Sequence, residues 1–206
     1  AQPAARLRLY ALQQLGYGAF HGRTLVLFGY GKVGHGVVFR ALEEGVAVTV
    51  VDAPERLPSP RPGVTGISRL DRAAVEDALR SAWCVASATG VRGALAAVLD
   101  PETLVRSRAL LANLGVEDEF GDAVPEARVL NAKKPLNFLL QEPTRLRYID
   151  PVFALHNAGA LALREGRDLP AGLLQPSPAI EARILAAVRR DGLIAAELQR
   201  FERMEA

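Results

Sequence analysis

The sequence predicts an α/β fold with a doubly wound parallel sheet, and three observations carry that prediction. Short apolar runs at 24–28, 46–51, 83–87 and 109–113 alternate with helical stretches, as strands joined by crossover helices do. Gly29, Gly31 and Gly34 stand at the G-x-G-x-x-G spacing, directly after the first run and before the apolar helical run 37–42. The second run ends in Asp52, eighteen residues beyond Gly34, where an acid can accept hydrogen bonds from an adenosine ribose.

Each glycine of the loop has its own task in such a fold. Gly29 allows the tight turn out of the strand, Gly31 lets the backbone approach a pyrophosphate, and Gly34 lets the new helix pack closely on the sheet. The helix N-terminus adds free amides and a partial positive charge for that pyrophosphate. Asp52, rather than a small residue followed by Arg, points to NAD over NADP. The alternative is a strand-turn-helix whose glycines serve packing alone and whose acid only ends a strand. The complete order favours a Rossmann-like, NAD-binding domain.

Taken in order, residues 4–15 have helix-forming composition and stop at Gly16, Tyr17 and Gly18, so an extra N-terminal helix precedes the first strand. Residues 53–63 carry four prolines, and a loop is expected where the fold ordinarily has its second helix. A short third strand is expected at 64–67. Asp71 can cap a helix through Leu79 with Ala74, Val75, Ala78 and Leu79 as its apolar stripe, and the run ending at Ser87 is the fourth strand. Residues 94–99 read as helical, Asp100 and Pro101 as a helix start, and 109–113 as the fifth strand. A further strand is expected at 128–130, ending in Asn131, and then a polar crossover with prolines to Arg147. Asp150 as cap and Pro151 at the first helical position predict a helix to about Leu163. Ser177 and Pro178 start another, with Ile180, Ile184 and Val188 on one face, and Gly192 separates it from a last helix ending near Met204. The expected division is a nucleotide-binding domain over 1–165, leading helix included, and a C-terminal helical extension over 166–206.

Composition narrows the function classes. With 206 residues, half of them hydrophobic, the chain can bury one substantial core. A formal net charge of +2 supports neither a nucleic-acid partner nor a membrane surface. Cys84 is the single cysteine, which excludes an intrachain disulfide, and its apolar neighbours suggest a core position. With no secretory leader and no eighteen-residue apolar stretch, a reducing cytoplasm is the expectation. The sequence starts at Ala1 without a methionine, which leaves open that it is a stretch of a longer protein.

The order of motifs resembles the NAD-binding domain of the S-adenosylhomocysteine hydrolase family over about residues 5–165. The family's glycine loop matches Gly29, Tyr30, Gly31, Lys32, Val33, Gly34 and Gly36. Its Thr-Gly pair after the fourth strand matches Thr89 and Gly90, and its Asn-x-Gly after the fifth matches Asn113 and Gly115, followed by an acid and an apolar residue, here Glu119 and Phe120. Asn131 matches the Asn that ends the next strand, and residues 152–156 are the nearest match to a later helix motif. The resemblance implies that these positions contact the cofactor. The family's first catalytic His is here Val116, its second has no counterpart in 132–137, and its C-terminal Lys and Tyr and its substrate domain are not recognisable. Cofactor binding therefore carries over, and hydrolysis of adenosylhomocysteine does not.

His156 is the candidate acid-base residue, since an imidazole there could take a hydroxyl proton as a hydride leaves for nicotinamide; a helix histidine hydrogen-bonded to its surroundings is the alternative. His35 is expected to face solvent or phosphate. Arg145 and Arg147, with Lys133 and Lys134, could hold a carboxylate or phosphate of the substrate, or be a solvated surface. Glu117, Asp118 and Glu119 lack a His or Cys at ligand spacing, so no metal is expected. Two functions compete: an NAD-dependent oxidoreductase acting on a secondary alcohol of a small metabolite or nucleoside, and a non-catalytic NAD-binding regulatory domain or subunit of a larger enzyme. The apolar C-terminal helices predict a homodimer or a complex with a separate substrate-binding chain.

Overall fold

The computed structural model describes residues 11–12, 15–18, 20–140, 145–166 and 172–205. Most of the expected first helix, 4–15, lies outside them; Ala11 and Leu12 are helical and buried. The chain divides into two compact units, 1–143 and 144–206.

The first unit is a six-stranded, all-parallel sheet. Its strands are β1 (Thr24–Phe28), β2 (Ala47–Asp52), β3 (Val64–Ser68), β4 (Cys84–Ser87), β5 (Leu110–Asn113) and β6 (Val129–Leu130). They lie in the order β3-β2-β1-β4-β5-β6, so the winding reverses between β1 and β4. That is the doubly wound, Rossmann-like arrangement, and ligands bind outside the carboxyl ends at the reversal. Successive side chains of β1 point to opposite faces. Leu25 and Leu27 pack with Val37, Val38 and Ala41 on one side, whereas Val26 and Phe28 pack with Val75, Leu79, Leu95 and Phe120 on the other. Burial on both faces explains why these strands read as continuous apolar runs.

Helix α1 (Lys32–Glu43) follows β1, α2 (Arg72–Ser81) follows β3, and α3 (Pro101–Arg106) precedes β5. Asp71 caps α2 by accepting from the Ala74 amide at 3.1 Å, and Asp100 caps α3 by accepting from Glu102 at 3.0 Å. Between β2 and β3 there is a single 3-10 turn, Pro54–Arg56, within the proline-rich crossover. Residues 94–99 form successive turns and not the expected helix. The Gly93 and Leu95 amides donate to the Asp118 and Glu119 carbonyls at 2.8 and 3.0 Å, which takes them out of a helical ladder.

The second unit contains α4 (Leu146–Glu165), α5 (Pro178–Asp191) and α6 (Ala195–Glu205). Helix α4 starts at Leu146, not at Pro151, and Asp150 is an exposed residue inside it, not its cap. The buried Tyr148 anchors the earlier turn, its amide donating to the Arg145 carbonyl at 3.0 Å. First-turn amides have no helical acceptor, so a proline one turn later removes one bond only. Ile180, Ile184 and Val188 are the half-buried face of α5, as their spacing predicts, and Arg189 pairs with Glu202 of α6 at 2.8 Å.

Candidate functional site

The loop from β1 into α1 has the geometry its glycines imply. Gly29 has φ +94°, and a Cβ there would stand 2.6 Å from the Ala88 carbonyl oxygen, so the turn requires glycine. A Cβ on Gly34 would collide with the Gly29 carbonyl oxygen, which is the close helix-to-loop packing. Gly31 differs from both. Its φ of −80° suits any residue, and a Cβ there would meet no protein atom within 4 Å. Nothing within the protein demands glycine at this position, whereas a ligand approaching the backbone would. Gly31 is the N-cap of α1, no side chain bonds that helix end, and its first turn has no acid. Its amides are free for a pyrophosphate.

Asp52 ends β2 beside this loop. Its Oδ2 accepts from the Tyr30 amide at 2.6 Å and its Oδ1 from the Ala53 amide at 2.7 Å. Each oxygen keeps a second lone-pair direction for a ribose hydroxyl. The carboxylate therefore holds the glycine loop through two backbone bonds. The Tyr30 ring lies in the core, stacks on His35 at 3.9 Å between centroids, and its hydroxyl accepts from Arg61 at 2.9 Å. His35 is thus half-buried against Tyr30 and not simply solvent-facing.

A cleft of about 480 Å³ opens along the carboxyl ends of the strands. Among the residues named from the sequence, Gly29, Gly31, Asp52 and Thr89 line it. Arg56, Arg69, Leu70 and Val91 line it as well, and the sequence reading missed all four. Arg56 is four residues past Asp52, a spacing that could have drawn notice. Arg69 arrives through strand register, since Ser68 pairs with Asp52 and the Arg69 amide donates to the Asp52 carbonyl at 2.9 Å.

The loop after β4 is fixed from below by Glu119. This fully buried carboxylate accepts from the Thr89 amide at 2.7 Å, the Thr89 hydroxyl at 2.8 Å, the Gly90 amide at 2.8 Å and the Ser87 hydroxyl. A Cβ on Gly115 would run into it, which is why that position is glycine. Asn113 is buried beneath the loops, its Nδ2 donating to the carbonyls of Glu117 at 2.7 Å and Lys133 at 2.5 Å. Asn131 closes its own turn by donating to the Pro135 carbonyl at 3.1 Å. Lys133 donates to Asp118 at 2.9 Å and to the Gly121 carbonyl at 2.7 Å, so its ammonium is engaged structurally. No group of three potential metal-binding side chains occurs among the described residues. Lys32 is exposed in the first turn of α1, and Val33 packs on the core.

His156, Arg145 and Arg147 belong to the second unit. His156 is exposed, its ring 6.4 Å from that of Phe153. The Arg147 guanidinium lies over the Tyr148 ring at 5.0 Å, and Arg145 is half-buried ahead of α4. Among the described residues no helix is long and apolar enough to cross a membrane.

No curated protein sequence matches the chain. Three solved structures illustrate its likeness. The D-isomer specific 2-hydroxyacid dehydrogenase from Lactobacillus delbrueckii ssp. bulgaricus, in its NAD complexed form, is 17% identical over 62% of this chain and 44% of that one, with TM-score 0.44. D-lactate dehydrogenase with NAD+ from Lactobacillus jensenii is 16% identical over 64% and 44%, with TM-score 0.45. Shikimate 5-dehydrogenase from Listeria monocytogenes, in complex with shikimate and NAD, is 11% identical over 53% and 43%, with TM-score 0.43. The match spans less than half the length of each of these proteins. Residues 18–124, just over half of the chain, match a family model described as "Putative NAD(P)-binding". That span contains the glycine loop, the free end of α1, Asp52 and Glu119, and the chain belongs to this NAD(P)-binding family.

Proposed function

We propose that the chain is the cofactor domain of an NAD(H)-dependent oxidoreductase acting on a secondary alcohol of a small metabolite or nucleoside. The observation that carries the reading is the open side of Gly31, set between the uncapped end of α1 and Asp52 on one cleft. Bound NAD supplies a hydride acceptor. In this reading the α1 amides would hold its pyrophosphate, Asp52 would accept from its ribose hydroxyls, and Thr89 and Val91, which line the same cleft, would flank it. A relation to adenosylhomocysteinases is part of this proposal; what supports it is the glycine loop at 29–36 and the order of the later motifs, of which Glu119 accepts from the Thr89 and Gly90 amides. His156 is the proposed proton acceptor, and Arg145 and Arg147 the proposed anion contacts. The buried, unpaired Cys84 suits a reducing cytoplasm.

A second reading has its own support. Among the described residues lining the cleft there is no histidine, lysine, cysteine or tyrosine to move a proton. That favours a regulatory domain, or a subunit whose acid-base group comes from another chain. Calorimetric titration with NAD tests the shared part, and absence of heat overturns it. Loss of NAD reduction in a His156→Ala variant that still binds NAD favours His156 as the proton acceptor; unchanged reduction removes His156 from that role and keeps the enzyme reading, whereas no reduction by the unmodified chain across a panel of secondary alcohols favours the module.

A further inference from the structure

Helix α4 packs against α5, and its covered stripe is Tyr148, Pro151, Leu155 and Ala158, spaced at three and four residues. On the roughly opposite side stand Asp150, Phe153, Asn157, Leu161 and Arg164, all five exposed. Successive helix residues are about 100° apart, so these five fall within an arc of about 80°. Their spacing is three, four, four and three, which is symmetric about Asn157. The chemistry is complementary about the same centre. The acid at one end mirrors the base at the other, and the Phe153 ring mirrors Leu161. Ala154 and Ala160, both exposed, mirror each other beside them.

A helix face with this symmetry fits its own copy running in the opposite direction. We propose that α4 pairs antiparallel with α4 of a second copy of this chain, about a two-fold axis at Asn157. In such an isologous contact one residue meets a second while the second meets the first. Asp150 of each copy then meets Arg164 of the other, which gives two ion pairs, and Phe153 packs on Leu161 twice. The flanking alanines let the two helices approach closely. Asn157 faces its own counterpart, where two side-chain amides can each donate and accept, and a polar residue at the centre of an apolar seam fixes the register. Parallel pairing would set acid against acid and base against base. Within one copy Arg164 pairs with the adjacent Glu165 at 3.2 Å, a solvent-exposed contact that a cross-helix partner can replace. Asp150 and Arg164 of one copy are fourteen residues apart, about 21 Å along the helix, so they cannot pair with each other.

The test is sedimentation equilibrium of the full chain and of the variants Asp150→Arg, Arg164→Asp and the double Asp150→Arg/Arg164→Asp, with circular dichroism to confirm helix content. Both side chains are exposed, so the variants should keep the fold. The unmodified chain should be a dimer of about twice 22.1 kDa. Each single variant turns two attractive pairs into two repulsive ones and should raise the dimer dissociation constant roughly tenfold or more. The double variant exchanges the charges and should return to within about threefold of the unmodified value. Because the two positions cannot meet within one helix, that rescue acts between copies. A monomer throughout the micromolar range overturns the proposal. A dimer that neither single variant weakens overturns it, because the contact then lies elsewhere, and so does a loss that the double variant fails to restore. A chain that is monomeric alone but forms a complex with a different protein also overturns it and gives the face to that partner.

Discussion

The Glu119 carboxylate accepts from both the amide and the hydroxyl of Thr89, two residues thirty positions apart, and so couples the loop after β5 to the loop after β4. A glutamine here would offer one acceptor oxygen and an amino group facing donors. Glu119→Gln should therefore cost about 1–3 kcal/mol of folding stability, the range for leaving a buried polar group unpaired. Denaturant unfolding measures it, and a loss below about 0.5 kcal/mol would contradict the clamp. NAD affinity should fall in parallel, because Thr89 lines the cleft.

Asp52→Ala removes more than the proposed ribose contacts, since the carboxylate also holds the Tyr30 and Ala53 amides. The variant should lose roughly tenfold or more in NAD affinity and about 1–2 kcal/mol of stability. Titration and thermal melting report the two separately. Unaltered stability would mean that the amide bonds contribute nothing to the loop.

Gly31 and Gly34 should answer substitution in opposite ways. Gly31→Ala meets no protein atom and keeps an ordinary φ, so stability should change by less than about 0.5 kcal/mol while dinucleotide binding weakens markedly. Gly34→Ala drives a methyl into the Gly29 carbonyl and should cost about 1–3 kcal/mol through overpacking. Equal effects of the two on stability would contradict the assignment of Gly31 to the ligand.

Burial pushes the Cys84 thiol up to about 12 from an ordinary value of 9.0. A maleimide should label native protein at pH 8 only at the rate of unfolding, and denatured protein at once. Because the folded thiol holds its proton to higher pH than the unfolded one, its contribution to stability is complete below about pH 9 and is lost as pH rises toward about 12. Denaturant midpoints across that window measure it; rapid labelling of the native protein would refute the burial.

The second unit leaves Leu146, Val152, Phe153, Leu161, Leu163, Leu185 and Leu193 exposed, and α5 has no buried residue. Light scattering at micromolar concentration should report a species of about twice 22.1 kDa, or a stable complex with a substrate-binding chain in the native source. A monomer with no partner refutes this.

The sheet was legible in the sequence because strands buried on both faces are nearly pure apolar runs, as in Leu25–Phe28 of β1 and Val48–Val51 of β2. The glycine loop was legible because each Gly answers a different steric demand. Glu119 as a clamp was not, since its four donors come from Ser87, Thr89 and Gly90 and nothing local marks them. Arg69 was hidden for a related reason: register places it beside Asp52, and register is a property of the folded sheet. The turns at 94–99 and the start of α4 at Leu146 show tertiary bonds and burial overriding local helix signals.

The crossover between β2 and β3 packs on an outer strand of the sheet. β3 is an outer strand of the sheet, and such a strand presents unpaired backbone groups that another chain can extend. Pro54, Pro58, Pro60 and Pro62 have no amide hydrogen to donate, and Leu57 and Pro58 lie over Gly66 in the middle of β3. At the opposite edge β6 is only two residues long. A chain with a helix in place of the prolines would gain secondary structure but would have to replace the close packing of Leu57 and Pro58 on the face of β3 at Gly66.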